Sequence, residues 1–468
     1  MRTAPRIGRF TLTSRTAACA AAVLTAGLVL AAAPSRAETL TEALVDVYAT
    51  NPTLQSERAS LRAVDEGVAQ AVSNWRPTVV VNGSYGYQDV TRTTDGNPTS
   101  TNFANPPRSA DITLSQNVFR GFRTLAETRQ ARNQVAASRA RLVSTEQDVL
   151  FAGVTAFADV LRDQATVELN RNNVLVLTRQ LEATQDRFRV GELTRTDVAQ
   201  AEARLQRAVS ELVFAQGSLT ESIAAFINVV GRPPGDLEIP PIPEDLPASE
   251  EETIDGARAN DPDVLAAEFD ERASINSVDL VRGELLPTLT VNGAAEYSED
   301  VSDRVKITSQ SVTANLSVPL YQSGDVYSRV REAKQRASET RSDLFETQRA
   351  SIEDATDAWE SLQTARSQIL AFESEVRAQE IALEGVRQEA RVGARTTLDV
   401  LDAEQELLDS RVNLVSARRD EIVASHEVLG AIGRLTARDL ALPVDLYDFT
   451  VNYGEVADKL IGTGIIDE

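Results

Sequence analysis

Asp399 and Asp402 stand one helical turn apart, and Asp197 occupies the place of Asp399 in an earlier, similar segment. Carboxylates at this spacing lie on one helix face. There they can share a cation or act as an acid and base pair in hydrolysis. The hydrolase reading lacks a sugar-stacking aromatic platform near either residue. Other chemistries are short of ingredients. The chain has one histidine, His426, and one cysteine, Cys19, so zinc ligand sets and nucleophile-histidine dyads lose their usual members. His426 falls inside a helical stretch and reads as an ordinary helix-surface residue. No phosphate-binding glycine loop is present, no cofactor is expected, and most enzyme classes become poor fits.

These acids belong to an acidic chain of 468 residues, with 47 basic and 70 acidic side chains. Residues 1–37 read as a removable signal peptide. Arg2, Arg6, Arg9 and Arg15 precede an apolar run from Ala17 to Ala33, and Ser35-Arg36-Ala37 resembles a small-x-small cleavage site. Its loss removes five arginines and no acid, leaving a formal charge of −28. No nucleic acid suits that field. Cys19 lies in the leader, and Thr16 stands where a lipid-attachment site wants leucine, so neither disulfide nor lipid anchor is expected. Beyond the leader no run approaches 18 consecutive apolar residues. A spanning helix is then excluded, and only a β-barrel remains as a way to cross a membrane.

The elements that must position the acids are written twice. Asn51-Pro52 recurs as Asp261-Pro262, Pro77-Thr78 as Pro287-Thr288 and Asn82-Gly83 as Asn292-Gly293. Further on, Arg189-Val190-Gly191 recurs as Arg391-Val392-Gly393, and Gly231-Arg232 as Gly433-Arg434. Each half reads helix, strand, strand, long helix, helix. The first repeat, residues 38–232, has an opening helix from about Thr41 to Asn74, strands over about 78–90 and 110–119, a long helix over about 122–189 and a helix over about 194–230. Residues 233–252 hold six prolines and form a linker. The second repeat, 253–434, has an opening helix to about Glu284, strands over about 288–299 and 305–320, and helices over about 325–391 and 396–432. A C-terminal segment, 435–468, follows.

The strands alternate. Val79, Val81, Gly83, Tyr85 and Tyr87, and again Leu289, Val291, Gly293, Ala295 and Tyr297, share one face against mostly polar neighbours. A membrane strand facing lipid and water needs this pattern, and so does a half-buried soluble hairpin. Thr91 to Arg108, with Asp95-Gly96-Asn97-Pro98, reads as a long exterior loop, and Trp75 as an interfacial anchor. The proline-free long helices make rods of about 100 Å. Ala355, Leu362, Ile369, Val376 and Leu383 recur at heptad spacing, as do Val198, Leu205, Leu212, Leu219 and Phe226, and then Val400, Leu407, Leu414 and Val428. Such heptads specify coiled-coil packing with shallow, alanine-rich seams. Four strands cannot close a barrel, and an open edge is not tolerated in lipid, so the chain must oligomerise; three copies supply 12 strands and 12 helical columns.

The two turn segments, Arg189-Val190-Gly191-Glu192-Leu193-Thr194-Arg195-Thr196-Asp197-Val198 and Arg391-Val392-Gly393-Ala394-Arg395-Thr396-Thr397-Leu398-Asp399-Val400-Leu401-Asp402-Ala403, with Gly433-Arg434-Leu435, resemble the TolC family of outer-membrane ducts. The resemblance covers essentially the whole mature chain. It implies a mainly α fold with a membrane β-barrel part: a homotrimer with a 12-strand barrel in outer-membrane lipid, stacked on a 12-column helical barrel projecting into the periplasm. It implies a channel, not an enzyme, for drug efflux or type I protein secretion. Its partners would be a periplasmic adaptor (membrane fusion) protein and an inner-membrane ABC or proton-driven transporter. The other reading is a periplasmic coiled-coil scaffold without transport activity.

By the same resemblance, Asp399 and Asp402 form an acidic ring at the periplasmic entrance, and Asp197 and Arg395 belong to the polar links that shut it. Arg189, Val190, Gly191, Glu192, Leu193 and Thr194, with Arg391, Val392, Gly393, Ala394 and Thr396, become the tips met by the adaptor. The family's tyrosine three residues before the second turn glycine is replaced by Ala390. Plain local structure competes with these roles. Thr194 to Asp197 and Thr396 to Asp399 each read as a capping box, and both tips as simple turns between helices. Capping leaves Asp402 unexplained, because its counterpart in the first repeat is Gln200.

Overall fold

The structure, a computed structural model, describes residues 37–94, 97–105, 107–300 and 305–465. The expected signal peptide, up to residue 36, lies outside them. The first repeat runs α1 (Leu40–Thr50), α2 (Pro52–Ser73), β1 (Thr78–Tyr85), β2 (Gln88–Thr94), β3 (Asn97–Asn105), β4 (Arg108–Arg120), α3 (Arg123–Arg189) and α4 (Arg195–Val230). The second runs α5 (Glu250–Asn260), α6 (Pro262–Arg282), a 3-10 turn (Gly283–Leu285), β5 (Thr288–Asp300), β6 (Val305–Ser317), α7 (Asp325–Arg391) and α8 (Thr397–Ala431). A short α9 (Phe449–Val456) follows.

Each opening helix is two helices, because Asn51 and Asp261 act as caps in front of Pro52 and Pro262. The Asn51 carboxamide oxygen accepts from the Thr53 amide, and the Asp261 carboxylate from the amides of Asp263 and Val264. A proline in the first turn loses nothing, since its missing N–H has no partner there anyway.

The sheet order is β1-β4-β5-β6, antiparallel throughout. Its register brings Val79, Leu114, Gly293 and Val312 into one cross-strand row and Val81, Ile112 and Ala295 into another. Both hairpins therefore present apolar residues to the same side. On the other face Asn82 donates to Asp111 at 2.8 Å, and the hydroxyls of Ser84 and Ser109 meet at 2.7 Å. The expected strand 78–90 is not continuous. β1 stops at Tyr85, where the Gly86 amide bonds the Pro107 carbonyl, and the expected loop holds a separate β2-β3 hairpin. Its threonine-rich runs suit extended backbone. β6 ends at Ser317 and not at 320, since Pro319 has no ladder donor.

At each corner from sheet to long helix, two successive residues have left-handed backbone: Gly121 and Phe122 (φ +61° and +63°), then Ser323 and Gly324 (φ +53° and +81°). Gly121 also lies against the second repeat, where a Cβ would sit 2.3 Å from the Gly283 carbonyl oxygen.

α3 and α7 are 67 residues each. α3 pairs with α4, and α7 with α8. In α7 the heptad reading holds at mid-helix, where Ala355, Ala358, Leu362 and Ala365 are buried, and again at Leu383, while Ile369 and Val376 between them are half-buried. In α4 the buried column is Ala201, Ala208 and Ala215, while Leu205, Leu212 and Leu219 are only half-buried flank residues. By length and composition α4 passes as a membrane span, with a mean hydropathy of 1.3 over 18 residues, although its apolar run is broken by charge. The apolarity comes from two faces at once, the alanine seam and an exposed stripe of Val209, Val213 and Phe214.

Midway along the rods a girdle forms the largest core, with Leu54, Leu150, Phe157, Phe226 and Leu429 joined by Leu435 and Leu442 of the C-terminal segment. That segment is firmly packed: Arg139 lies between the rings of Phe449 and Tyr453, 4.8 and 5.1 Å from their centroids. His426 belongs to this girdle and is not a surface residue. It is buried, with Nδ1 2.8 Å from the Ile422 carbonyl oxygen. The C-terminal segment covers it, and helical spacing alone carries no sign of that cover.

Candidate functional site

The site lies where the helical hairpins turn, at the end of the rods away from the sheet. Both long helices end the same way. The Glu192 amide bonds back to the Arg187 carbonyl and the Ala394 amide to the Glu389 carbonyl, each at 2.9 Å. This closure needs a left-handed residue, supplied by Gly191 (φ +82°) and Gly393 (φ +79°), beside which nothing lies within 4 Å. Arg187 and Glu192 pair across the first turn at 3.1 Å, and Arg395 and Glu389 across the second at 3.0 Å. Arg189, Val190, Gly191, Glu192 and Thr194, with Arg391, Val392, Gly393, Ala394 and Thr396, are exposed; Leu193 is half-buried. Val190 and Val392 are 73% and 81% exposed, two apolar side chains held out at the points of the tips.

Both capping boxes are present. Asp197 accepts from the Thr194 hydroxyl at 2.7 Å and its amide at 2.8 Å, and Asp399 accepts from the Thr396 amide and hydroxyl, both at 2.8 Å. For Asp197 the hydroxyl is the chief cause and for Asp399 the amide, and each carboxylate is held below the usual range. Both stay ionised at neutral pH.

Within one chain Asp197 and Arg395 are not brought together. Arg395 turns to Glu389 and lies 4.0 Å from Asp399. Asp402 takes a partner that the sequence reading missed, Arg204 of α4. The sequence carried no specific sign of it: at the 202-residue offset Asp402 answers to Gln200 and Arg204 to Glu406, but neighbours such as Glu192 and Ala394 differ between the repeats too.

A duplicated chain with a sheet apolar on one face, two hairpins of long helices and a polar, glycine-turned tip has the architecture of an outer-membrane channel subunit. The match is specific: the chain belongs to the outer membrane efflux protein family, whose pattern fits residues 43–232 and 253–434. It is 35% identical over 446 residues to the outer membrane efflux protein BepC of Brucella suis biovar 1, covering 95% of this chain and 96% of that one. To the outer membrane protein TolC of Vibrio cholerae serotype O1 it is 28% identical, covering 86% and 92%. The fold is that of the solved Campylobacter jejuni CmeC outer membrane channel, with a TM-score of 0.78 at 16% identity, over 90% of this chain and 89% of that one. The chain is thus an outer-membrane channel protein reaching into the periplasm. A scaffold without transport accounts for neither the sheet nor these likenesses, and the family's members are channels.

Proposed function

We propose that three copies close into one duct, with a 12-strand barrel in the outer membrane and a 12-column helical barrel in the periplasm. The observation that carries this is the open four-stranded sheet, in which β1 and β6 each keep one unpaired edge. Lipid does not tolerate free backbone donors and acceptors, so the edges must meet those of other copies. The exposed Val213 and Phe214 of α4 are then covered by the neighbouring subunit.

At the entrance, Asp399 and Asp402 of three copies surround one axis and attract cations, while Asp197 and Arg395, separate within a chain, link neighbouring subunits. The tips, with Val190 and Val392 outermost, dock a periplasmic adaptor. Energy comes from an inner-membrane ABC or proton-driven transporter. The efflux named for BepC supports an efflux role, and secreted protein is the alternative cargo.

The experiment is purification from outer membranes in detergent, followed by sedimentation and planar-bilayer recording. A trimer whose conductance is blocked by polyvalent cations from the periplasmic side is expected, and the block should vanish in the Asp399→Ala, Asp402→Ala double variant. A monomer in detergent, or full recovery in the soluble periplasm, overturns the duct. Unchanged cation block in the double variant overturns the ring.

A further inference from the structure

We infer that Arg204 is a positioning residue of the entrance: through Asp402 it clasps the second helical hairpin to the first and masks that carboxylate from cations. The inference rests on the duct reading and adds to it a residue outside the turn segments.

The two hairpins of a chain meet near the tip over a small area. Leu401 of α8 is 2% exposed, seated in a cluster with Leu177 of α3 and with Ala201 and Ala208 of α4. The alanines make the socket, since a larger side chain there would displace the leucine. The next residue, Asp402, lies at the edge of this contact and receives the Arg204 guanidinium. The Arg204 side chain is 28% exposed and that of Asp402 51%, so the pair bridges the hairpins at the wet rim of the Leu401 socket. Above it α4 and α8 diverge around a groove of about 880 Å³, bordered by Phe214 and Glu211 on one side and Leu408 and Asp409 on the other. The next ion pair between the hairpins is Arg419 with Asp159 at 2.8 Å, beyond that groove. One leucine and one ion pair thus hold the tip ends of the hairpins side by side, a contact small enough to be released without unpacking the girdle.

The charge balance is the second consequence. Of the two acids assigned to the entrance, Asp399 is held by its own helix cap with Arg395 at 4.0 Å, while Asp402 is neutralised by a base from the other repeat. With Arg204 in place the Asp402 carboxylates are partly screened, and Asp399 supplies most of the field that attracts cations. Removal of the arginine bares Asp402.

The test compares Arg204→Gln, Asp402→Asn and the exchanged pair Arg204→Glu with Asp402→Arg, all in the full-length trimer. Both single variants should raise resting conductance in planar bilayers by roughly fivefold or more, the factor that three exposed ion pairs are worth together. They should differ in cation block: Arg204→Gln is blocked at lower polyvalent cation concentration than the wild type, and Asp402→Asn at higher. A merely structural role would move both the same way. The exchanged pair should restore the low resting conductance. The mature chain has no cysteine, so nitroxide labels can be placed at Glu192→Cys and Ala394→Cys, one per turn, with labelled chains diluted among unlabelled ones. The interlabel distance should lengthen in Arg204→Gln. An unchanged distance overturns the clasp whether or not the protein conducts, and so does failure of the exchanged pair to restore closure. A wild type that never conducts while its distance responds to Arg204→Gln instead sinks the duct reading and leaves the clasp standing.

Discussion

Arg329 of α7 holds Glu284 with both arms of its guanidinium, one Nη lying 2.9 Å from Oε1 and the other on Oε2. Glu284 sits in the 3-10 turn where the second opening helix passes into the sheet, so this ion pair ties the start of a strand to the start of the rod that leaves it. Arg123 approaches the same carboxylate at 3.9 Å from the first repeat. One acid thus fastens both repeats beneath the sheet.

The Arg329 hydrogen bonds hold the Glu284 carboxyl below its ordinary range. A depressed carboxylate contributes stability that is complete above its unfolded value and is lost as pH falls through the folded one. Glu284→Gln is therefore expected to lower the temperature at which the trimer dissociates at pH 7, by a margin over the wild type that narrows as pH falls below about 4.5. Arg329→Lys, which keeps the charge but loses the fork, should fall between. Heat-modifiability on gels across pH reads both.

At Gly121, alanine would need a left-handed backbone and a Cβ 2.3 Å from the Gly283 carbonyl oxygen. Neither backbone can give way without moving the junction, so Gly121→Ala should cost about 2 kcal/mol or more and reduce the yield of assembled trimer. Gly67→Ala is the control, since nothing lies within 4 Å of that site in α2. It should be neutral or slightly stabilising, by about 0.5 kcal/mol.

Burial pushes the His426 imidazole below its ordinary value, only partly opposed by the Ile422 carbonyl. The unfolded chain then takes up a proton first as pH falls below about 6.5, and the stability present above that pH declines. The drop in melting temperature between pH 7.5 and 5.5 should be smaller in His426→Gln than in the wild type. An identical drop in both would mean that the imidazole does not titrate on unfolding.

The separate β2-β3 hairpin connects β1 to β4 at the end of the sheet away from the helices, which places it on the cell exterior if the tips are periplasmic. A cysteine at Thr99 should react with an impermeant thiol reagent on intact cells. Reaction only after the outer membrane is broken would invert the topology.

The duplicated layout, both turns and both capping boxes were legible because each is a local pattern: a glycine to end a helix, and a threonine with an acid three residues on. What spacing left hidden depended on contact between distant segments. Heptads named Leu205, Leu212 and Leu219 as seam residues, yet close approach of α3 and α4 selects the smaller Ala201, Ala208 and Ala215. His426 looked exposed until the C-terminal segment covered it. Asp402 looked unpaired because its partner lies in the other repeat, 198 residues away.

Equal helices in the two repeats act as a gauge. Because α3 and α7 are both 67 residues long, their turns reach the same depth, and Leu401 finds its socket on α4. Deleting one heptad from each helix of the first hairpin alone would keep the packing faces in phase but lift its turn by about 10.5 Å, leaving Leu401 beyond the end of the shortened hairpin and the two tips at different heights. The reach of the duct can therefore change, in evolution or by design, only through matched insertions or deletions in both halves. An adaptor docked at the tips as proposed would have to meet that fixed length from its own side.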